Sequence, residues 1–293
     1  MKLGIWLPIV HRTPPYVAPE WELRGGIEDI VAVASAVESY GYEYLCAPEH
    51  IAMPLAKKDT RGEVYWDPIS TLGYLAARTS KIKLVPLVFV ASYHHPLEIA
   101  KRMGTLDRIS GGRIIIGMGV GSLTEEFELL GANMRERGRR TDDSLRALKA
   151  ACGVRMPTYE GEFYRFSNMI VDPGLRADTP FWIGGLSDKS VYRAIEFGDG
   201  WSPTRMPLDQ IAAIMARADV KERLARRERP LDVCYVMGDD SPLDVLRQPA
   251  AVREYLQQLK RAGVNIFVPS LVNTTRELYI SQLHALADLA QSY

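Results

Sequence analysis

The segment from Gly111 to Gly121 reads Gly-Gly-Arg-Ile-Ile-Ile-Gly-Met-Gly-Val-Gly. Its three consecutive isoleucines predict a strand buried on both faces, which is typical of parallel sheets. The glycines that follow remove side chains where the chain leaves the strand, so backbone N–H groups can approach a ligand closely. Ser122-Leu123-Thr124-Glu125 then matches the Ser/Thr-x-x-Glu pattern of a helix start. A strand, a glycine loop and a helix N-terminus in this order predict a phosphate site.

Short apolar segments that recur along the chain predict eight strands. They are Lys2–Leu7, Tyr44–Ala47, Lys83–Val88, Arg113–Gly117, Phe181–Ile183, Gly200–Ser202, Val233–Met237 and Asn265–Val268. The segments between them have helical periodicity, as in the apolar stripe of Val252, Leu256 and Leu259. This alternation predicts parallel pairing with right-handed crossovers.

Eight strand–helix units within 293 residues favour one (β/α)8 TIM barrel domain that spans residues 1–293. An open, doubly wound sheet is the alternative, because the sixth strand, Gly200–Ser202, is short. Helix starts are predicted at Asp67-Pro68, at Ser187 and at the capping-box pattern Thr274-x-x-Glu277.

Two connections are longer than the rest, and we expect them to have a functional role. Pro48–Trp66 follows the second strand, and Cys152–Asp178 lies beyond the fourth strand and its helix. The second connection contains Tyr159–Phe166, which predicts a small hairpin or an extended flap. Both connections are expected to shape or cover a substrate pocket.

The overall charge and the cysteine content exclude several classes of protein. The 36 Lys and Arg residues balance 36 Asp and Glu residues, which argues against a nucleic-acid-binding protein or a membrane-surface protein. No apolar run is long enough to predict a membrane span. The three cysteines (Cys46, Cys152 and Cys234) form no disulfide framework or zinc motif, which predicts a reducing, cytoplasmic location and no bound metal.

The candidate site residues follow the strands, because the reactive face of a barrel lies at the carboxyl ends of its strands. His50 follows the second strand, where an imidazole can bind a ligand or transfer a proton near neutral pH. A structural histidine is the alternative. Gly119-Val120-Gly121 and Gly184-Gly185 follow neighbouring strands, and together they predict a phosphate site. Either loop alone is also compatible with a tight turn that binds nothing.

No Ser-His-Asp arrangement, metalloprotease motif or convincing carboxylate pair accompanies these loops. Phosphate loops with few acid–base groups suit an enzyme whose cofactor supplies the chemistry.

Several motifs occur in a fixed order along the whole chain. They are Ala47–Pro54, His95–Lys101, Thr105–Arg113, Gly117–Gly121 with Glu125-Glu126-Phe127, Arg137–Asp142, Glu160–Tyr164, Trp182–Gly185 and Gly198–Trp201. With these motifs in this order, the chain resembles the bacterial luciferase-like monooxygenase superfamily. Its members are flavin- or deazaflavin-dependent oxidoreductases built on a (β/α)8 barrel. Pro48-Glu49-His50 most resembles the branch described as F420-dependent.

This resemblance implies roles for individual residues. His50 would lie near the cofactor ring. A non-prolyl cis peptide at Val90-Ala91 or Ala91-Ser92 would back that ring. Gly119, Val120, Gly121 and Ser122, together with Gly184 and Gly185, would hold the cofactor phosphate.

The chain departs from the family pattern at two places. Sugar-oxidising deazaflavin members carry a glutamate proton donor where this chain has Ser122, so we expect a different proton donor here. Beyond the third strand the chain reads Ala91-Ser92-Tyr93-His94, which makes Tyr93 or His94 a candidate to face the substrate.

The resemblance therefore implies an oxidoreductase that transfers hydride between F420 and a small organic substrate, with His50 as the catalytic residue. An FMN-dependent monooxygenase that uses molecular oxygen is the alternative. A non-catalytic cofactor carrier or partner subunit is the third hypothesis. A homodimer or a higher homo-oligomer is expected.

Overall fold

The computed structural model describes residues 1–238 and 240–291. These residues form the strands β1 (Lys2–Trp6), β2 (Tyr44–Ala47), β3 (Lys83–Pro86), β4 (Phe89–Val90), β5 (Ile116–Gly119), β6 (Tyr159–Glu160), β7 (Arg165–Phe166), β8 (Phe181–Gly184), β9 (Gly200–Ser202), β10 (Asp232–Val236) and β11 (Ile266–Val268). Their α-helices are α1 (Glu20–Arg24), α2 (Ile27–Ser39), α3 (Lys58–Arg61), α4 (Pro68–Ala76), α5 (Pro96–Ser110), α6 (Thr124–Leu129), α7 (Arg137–Ala151), α8 (Asp188–Phe197), α9 (Leu208–Ala216), α10 (Ala218–Ala225), α11 (Pro249–Arg261) and α12 (Arg276–Gln291).

Nine strands form one parallel sheet in the order β3-β2-β1-β11-β10-β9-β8-β5-β4. The sheet closes on itself where the Ile115 amide donates to the Leu84 carbonyl at 3.1 Å, beside a parallel bridge between Leu84 and Ile114. Because β3 and β4 are two pieces of one barrel strand, the sheet has eight strand positions. The predicted (β/α)8 barrel is confirmed, and the open sheet is excluded.

Alternate residues along the strands pack on the two faces of the sheet. Tyr44, Val85, Trp182 and Val268 belong to a compact apolar cluster that fills the barrel interior. A much larger apolar cluster lies between the sheet and the surrounding helices. The barrel interior is therefore a packed core that leaves no room for a ligand.

The third barrel strand is interrupted by a non-prolyl cis peptide at Leu87–Val88. The sequence prediction, Val90-Ala91 or Ala91-Ser92, was wrong by three or four residues. The interruption lies where pairing changes: β3 pairs with β2 as far as Pro86, and β4 pairs with β5 from Phe89.

The fourth barrel strand begins three residues later than predicted, at Ile116 instead of Arg113. The Arg113 guanidinium donates to the carbonyl oxygens of Ala76 and Ile82 at 2.6 and 3.0 Å. These bonds hold Arg113 at the opposite end of the barrel from the glycine loop. The strand ends at Gly119, two residues beyond the predicted end.

The predicted helix starts have mixed outcomes. Asp67 caps α4, since its carboxylate accepts a hydrogen bond from the Ser70 amide at 2.6 Å. Ser187 is the N-cap residue of α8, but its side chain makes no capping bond. Thr275 rather than Thr274 caps α12, because its hydroxyl accepts from the Leu278 amide.

The capping box predicted at Ser122 does not form. The helix that follows, α6, begins at Thr124, and its N-cap residue is Leu123, which offers no side-chain acceptor. Its side chain lies in the core, being 3% exposed. Ser122 is thereby placed outside the helix, where its hydroxyl is free for another partner.

The connection from Pro48 to Trp66 folds against the loop that follows β1. The Arg12 amide donates to the Val64 carbonyl, and the Trp66 amide donates to the Val10 carbonyl at 2.9 Å. Gly62 permits this contact: it has φ +81°, and a Cβ there would lie 1.7 Å from the Arg12 carbonyl oxygen. The two loops therefore form one wall at the carboxyl end of the barrel.

The connection from Cys152 to Asp178 contains the predicted hairpin, β6 paired antiparallel with β7. Asp143 of α7 anchors it by accepting hydrogen bonds from the Tyr159 hydroxyl and the Phe163 amide. His95, at the start of α5, packs edge-on against Tyr164. The hairpin thus packs on the outer helices.

Among the described helices, none combines the length and the apolar character that crossing a membrane would require.

Candidate active site

A cavity of about 430 Å³ opens at the carboxyl end of the barrel. It is lined by residues from the first, second, fourth, fifth and sixth barrel positions: Trp6, His11, Thr13, Pro48, His50, Arg61, Tyr65, Ser122, Leu186, Thr204 and Arg205. This volume lies within the roughly 300–1,000 Å³ typical of small-molecule sites. Both arms of the wall formed by the first two loops contribute to it.

His50 lines the cavity and is held from behind by a buried carboxylate. Its Nδ1 lies 2.7 Å from Oε2 of Glu126, whose side chain is only 1% exposed. On the cavity side the imidazole packs edge-on against Tyr65, with 4.5 Å between the ring centroids. The prediction that His50 lies at this end of the barrel is thus supported by its placement.

Glu126 has four hydrogen-bond partners, of which His50 is one. Oε1 accepts from the amides of Ile51 and Ala52 at 2.7 and 3.2 Å, and Oε2 also accepts from the Tyr93 hydroxyl at 3.0 Å. Burial raises the pKa of this carboxyl, but the hydrogen bond and the charge interaction with His50, together with the hydrogen bonds from the two amides, outweigh burial and hold the pKa below its usual value. Glu126 is therefore an anionic acceptor near neutral pH.

A second histidine–carboxylate pair lies beneath the cavity. Glu49 accepts from the Val90 amide at 2.6 Å and from Nε2 of His94 at 2.8 Å. His94 stacks on Phe89. Neither Tyr93 nor His94 lines the cavity formed by the described residues, so both candidates for substrate contact serve to hold carboxylates instead.

Two buried polar atoms at the cavity wall have no partner within residues 1–238 and 240–291. They are Nε1 of Trp6 and Nδ1 of His11. Burial, reinforced by the positive charge of Arg205, lowers the pKa of His11 to about 4. His11 is therefore neutral at physiological pH. Unpaired buried polar atoms are rare in proteins, and both belong to side chains that line the cavity.

Arg61 brings a positive charge to the cavity next to the glycine loop. Its Nη1 donates to the Ser122 hydroxyl at 3.3 Å. No carboxylate of the described residues forms a salt bridge with it. Arg61 and Ser122 together can therefore bind an anionic oxygen.

The glycines of the two loops are required by packing. A Cβ at Gly119 would lie 2.5 Å from Cγ2 of Val88, and a Cβ at Gly184 would lie 2.3 Å from Cγ1 of the same residue. A Cβ at Gly121 would meet the Phe127 ring at 2.7 Å. These positions are filled by protein atoms, so the glycine pattern is not evidence of close ligand approach at these carbons.

The Gly185 amide donates to the Ser202 carbonyl at 3.3 Å. Contrary to the prediction that Gly185 holds the phosphate, its amide is therefore not a free donor. Within the described ranges, the backbone amides of Gly121, Ser122, Leu186 and Ser187 donate to no other group. These neighbouring loop amides are the donors available to a phosphate.

The remaining predicted residues lie away from the cavity surface. Val90, Ala91 and Ser92 are buried, and the Ser92 hydroxyl donates to the Arg137 carbonyl at 3.3 Å. Val120 is half-buried between the strand and the loop. Of the predicted cofactor contacts, His50 and Ser122 line the cavity itself.

Pro48, Arg61 and Tyr65 belong to the connection that the sequence predicted to shape the pocket. Sequence reasoning missed Trp6, His11 and Thr13, which come from the first strand and the loop after it. Glu126 stood in a motif that matched the family, but its neighbour Glu125 has the same chemistry. No cluster of His, Cys, Asp or Glu in the described residues is arranged to hold a metal ion.

The protein is thus a (β/α)8 barrel with a cavity of small-molecule size and a histidine–carboxylate pair at its carboxyl end. The family model of the luciferase-like monooxygenases matches residues 1–289. The chain belongs to this family, whose members are oxidoreductases or monooxygenases.

Individual relatives differ in their cofactors. The chain is 22% identical over 273 residues to an FMNH2-dependent dimethylsulfone monooxygenase of Pseudomonas fluorescens, covering 91% of this chain and 72% of the relative. The structure of a Streptomyces bottropensis monooxygenase matches with a TM-score of 0.76 at 21% identity, covering 100% and 99% of the two chains. The structure of a coenzyme F420-dependent tetrahydromethanopterin reductase of Methanopyrus kandleri matches with a TM-score of 0.68 at 18% identity. The match covers 98% of this chain and 97% of that one. At these identities the structural matches establish the fold.

Proposed function

We propose that this protein is an F420-dependent oxidoreductase that transfers hydride to or from a small organic substrate. The observation that carries the proposal is the cavity at the carboxyl end of the barrel, with the Glu126-bound imidazole of His50 in its wall. A ring system at this position would meet His50. When bound, the deazaflavin supplies the hydride chemistry.

The residues present fit such a cofactor in two respects. The free amides of Gly121, Ser122, Leu186 and Ser187, with the Arg61 guanidinium, supply donors for a phosphate. The cavity-lining residues Trp6 and His11 each carry a polar atom without a partner in the described residues, which would bond a polar ring edge if these buried side chains turned toward it. The residues thus serve both ends of an elongated, anionic cofactor.

The chain's own residues would have three tasks. Arg61 and the loop amides bind and orient the phosphate. The wall formed by the first two loops excludes water from the ring. His50 accepts or returns a proton at its Nε2, since Nδ1 is occupied by Glu126.

Titration of the purified protein with F420 and with FMN, followed by fluorescence, tests the proposal. We expect F420 to bind at least 10-fold more tightly than FMN. Tighter binding of FMN would favour the FMN-dependent monooxygenase instead, as in the P. fluorescens relative. Binding of neither cofactor would overturn the proposal, and binding without turnover over a panel of alcohols, aldehydes and enones would indicate a carrier.

The role of His50 is tested on the same material with His50→Ala. If its ring lies against the cofactor, the variant still folds but changes the absorbance of the bound cofactor. A positioned acid–base group contributes about 10²- to 10⁴-fold in rate. A native spectrum with native turnover would remove His50 from the site.

A further inference from the structure

We propose that Glu126 is a positioning residue, which fixes the tautomer of His50 so that Nε2 faces the cavity as a proton acceptor. This inference rests on the function proposed above, because it assigns the chemical state of the residue at its centre. It concerns the groups behind the cavity wall, and it can be examined without any bound cofactor.

In its ionised form the Glu126 carboxylate can only accept hydrogen bonds. Both hydrogen-bond partners of Oε1 are backbone amides, Ile51 and Ala52, which can only donate. On Oε2, the Tyr93 hydroxyl and His50 Nδ1 converge at 3.0 and 2.7 Å. An anionic carboxylate with two filled oxygens requires that neutral His50 carry its proton on Nδ1.

The opposite edge of the ring then faces the cavity with a lone pair. His50 Nε2 makes no hydrogen bond to any described residue, and the side chain is 18% exposed. A neutral imidazole bound in this way can accept a proton or a hydrogen bond from a ligand at Nε2. Such a carboxylate behind a histidine sets both the tautomer and the ring orientation.

Glu125 provides a matched control for Glu126, because the two adjacent residues have the same side chain but differ in burial and in contacts. Glu126 is 1% exposed and holds His50 across a sequence separation of 76 residues. Glu125, the preceding residue of α6, is 42% exposed at its side chain and lies 3.8 Å from the Lys57 ammonium. The same Glu→Gln change at Glu125 therefore alters the charge of the same helix without touching His50.

In the Glu126→Gln variant, we expect His50 to adopt the other neutral tautomer. The two amides would retain the glutamine oxygen, so the glutamine NH2 would face His50 Nδ1. Because an NH2 group donates, Nδ1 becomes the acceptor, and the ring proton moves to Nε2. The variant should thereby lose the acceptor at the cavity surface.

The experiment is a long-range ¹H–¹⁵N correlation spectrum of ¹⁵N-histidine-labelled protein without cofactor. The His50 signals are assigned by their loss in His50→Asn. We expect an Nδ1–H tautomer in the native protein and in Glu125→Gln, and an Nε2–H tautomer in Glu126→Gln. An Nε2–H tautomer in the native protein overturns the proposal by itself, even if the variant does not fold.

A second variant separates positioning from general packing. Tyr93→Phe removes one hydrogen bond from the same carboxylate but leaves its charge, so the Nδ1–H tautomer should be retained. A tautomer change in Tyr93→Phe, or none in folded Glu126→Gln, would also overturn the proposal.

Cofactor titration distinguishes failure of this inference from failure of the proposed function. Protein that binds F420 or FMN but has the wrong His50 tautomer contradicts the role of Glu126 alone. Protein with the expected tautomers that binds neither cofactor contradicts the proposed function and supports the inference about Glu126. With both in place, we expect Glu126→Gln to bind F420 within about 3-fold of the native protein and to lose turnover by about 10²- to 10⁴-fold.

Discussion

The packing of Val88 between two glycines predicts strong coupling between Gly184 and Val88. A Cβ at Gly184 would lie 2.3 Å from Cγ1 of Val88, more than 1 Å inside the usual carbon–carbon contact of about 3.5–4.0 Å. Overpacking of this kind costs about 1–3 kcal/mol. The alanine also restricts the unfolded chain, which offsets about 0.4–1 kcal/mol. We therefore expect Gly184→Ala to destabilise the protein by roughly 1–2 kcal/mol.

Removing the two methyl groups of Val88 should abolish this cost. In Val88→Ala, the remaining neighbours of the new Cβ are Cβ of residue 88 at 3.6 Å and the Met118 carbonyl oxygen at 3.8 Å, which are ordinary contacts. Gly184→Ala should then be neutral or stabilising by up to about 1 kcal/mol. The double-mutant cycle should give a coupling free energy of roughly 1–3 kcal/mol.

Urea denaturation followed by far-ultraviolet circular dichroism measures the four proteins of this cycle. Gly73→Ala is the control, because a Cβ there meets nothing nearer than Leu106 Cδ1 at 3.9 Å and the helix favours alanine. It should be stabilising by about 0.5–1 kcal/mol. If the Gly184 and Val88 substitutions are additive within about 0.5 kcal/mol, the packing explanation of these glycines is refuted.

Three further predictions concern the cavity and the assembly. Arg61→Gln should weaken F420 binding about 10-fold or more without lowering the melting temperature, since a charge-assisted hydrogen bond contributes about 1.5–3 kcal/mol; unchanged affinity in titration would contradict this. The pKa of His11 is about 4 in the folded protein against 6.5 ordinarily, so the free energy of unfolding should fall by up to roughly 3 kcal/mol as the pH falls from 6.5 to 4. In His11→Phe, denaturation curves should show a smaller fall of the unfolding free energy over the same pH range. Light scattering should give at least twice the chain mass of 32.8 kDa, whereas a monomer would contradict the expected homodimer.

Much of the fold could be predicted from local sequence. Tyr44–Ala47 and Gly200–Ser202 have the predicted bounds, because short apolar runs between helical segments leave few alternatives. The break in the third strand could not be predicted. Residues 87–90 are all apolar, and the change of pairing partner depends on strands that lie far away in sequence.

The glycine loops show how a correct location can accompany a wrong reason. The spacing of Gly117, Gly119 and Gly121 marked the carboxyl end of a barrel strand, where the cavity lies. The physical cause is the approach of Pro86, Val88 and Phe127 to these three glycines, which no local pattern reveals. The donors suited to a phosphate are the neighbouring amides and Arg61, whose position depends on the fold of a long connection.

Glu126 illustrates why the candidate site was only partly predictable. In the run Thr124-Glu125-Glu126-Phe127, both acids appear equally suited to a helix surface. One of them is buried because the chain after His50 passes over it and offers two amides. The sequence identified the histidine, but the carboxylate that determines the histidine's chemistry becomes apparent only when the second and fourth barrel strands are brought together.

The long connection after the second strand positions both the imidazole of His50 and the positive charge of Arg61. Gly62 lets it lie against the Arg12 carbonyl, and this contact places Tyr65 against His50 and Arg61 beside Ser122. One loop therefore orients the imidazole and supplies the positive charge for an anion. A side chain at residue 62 would separate the two loops, so binding of the phosphate and orientation of His50 depend on the same backbone contact.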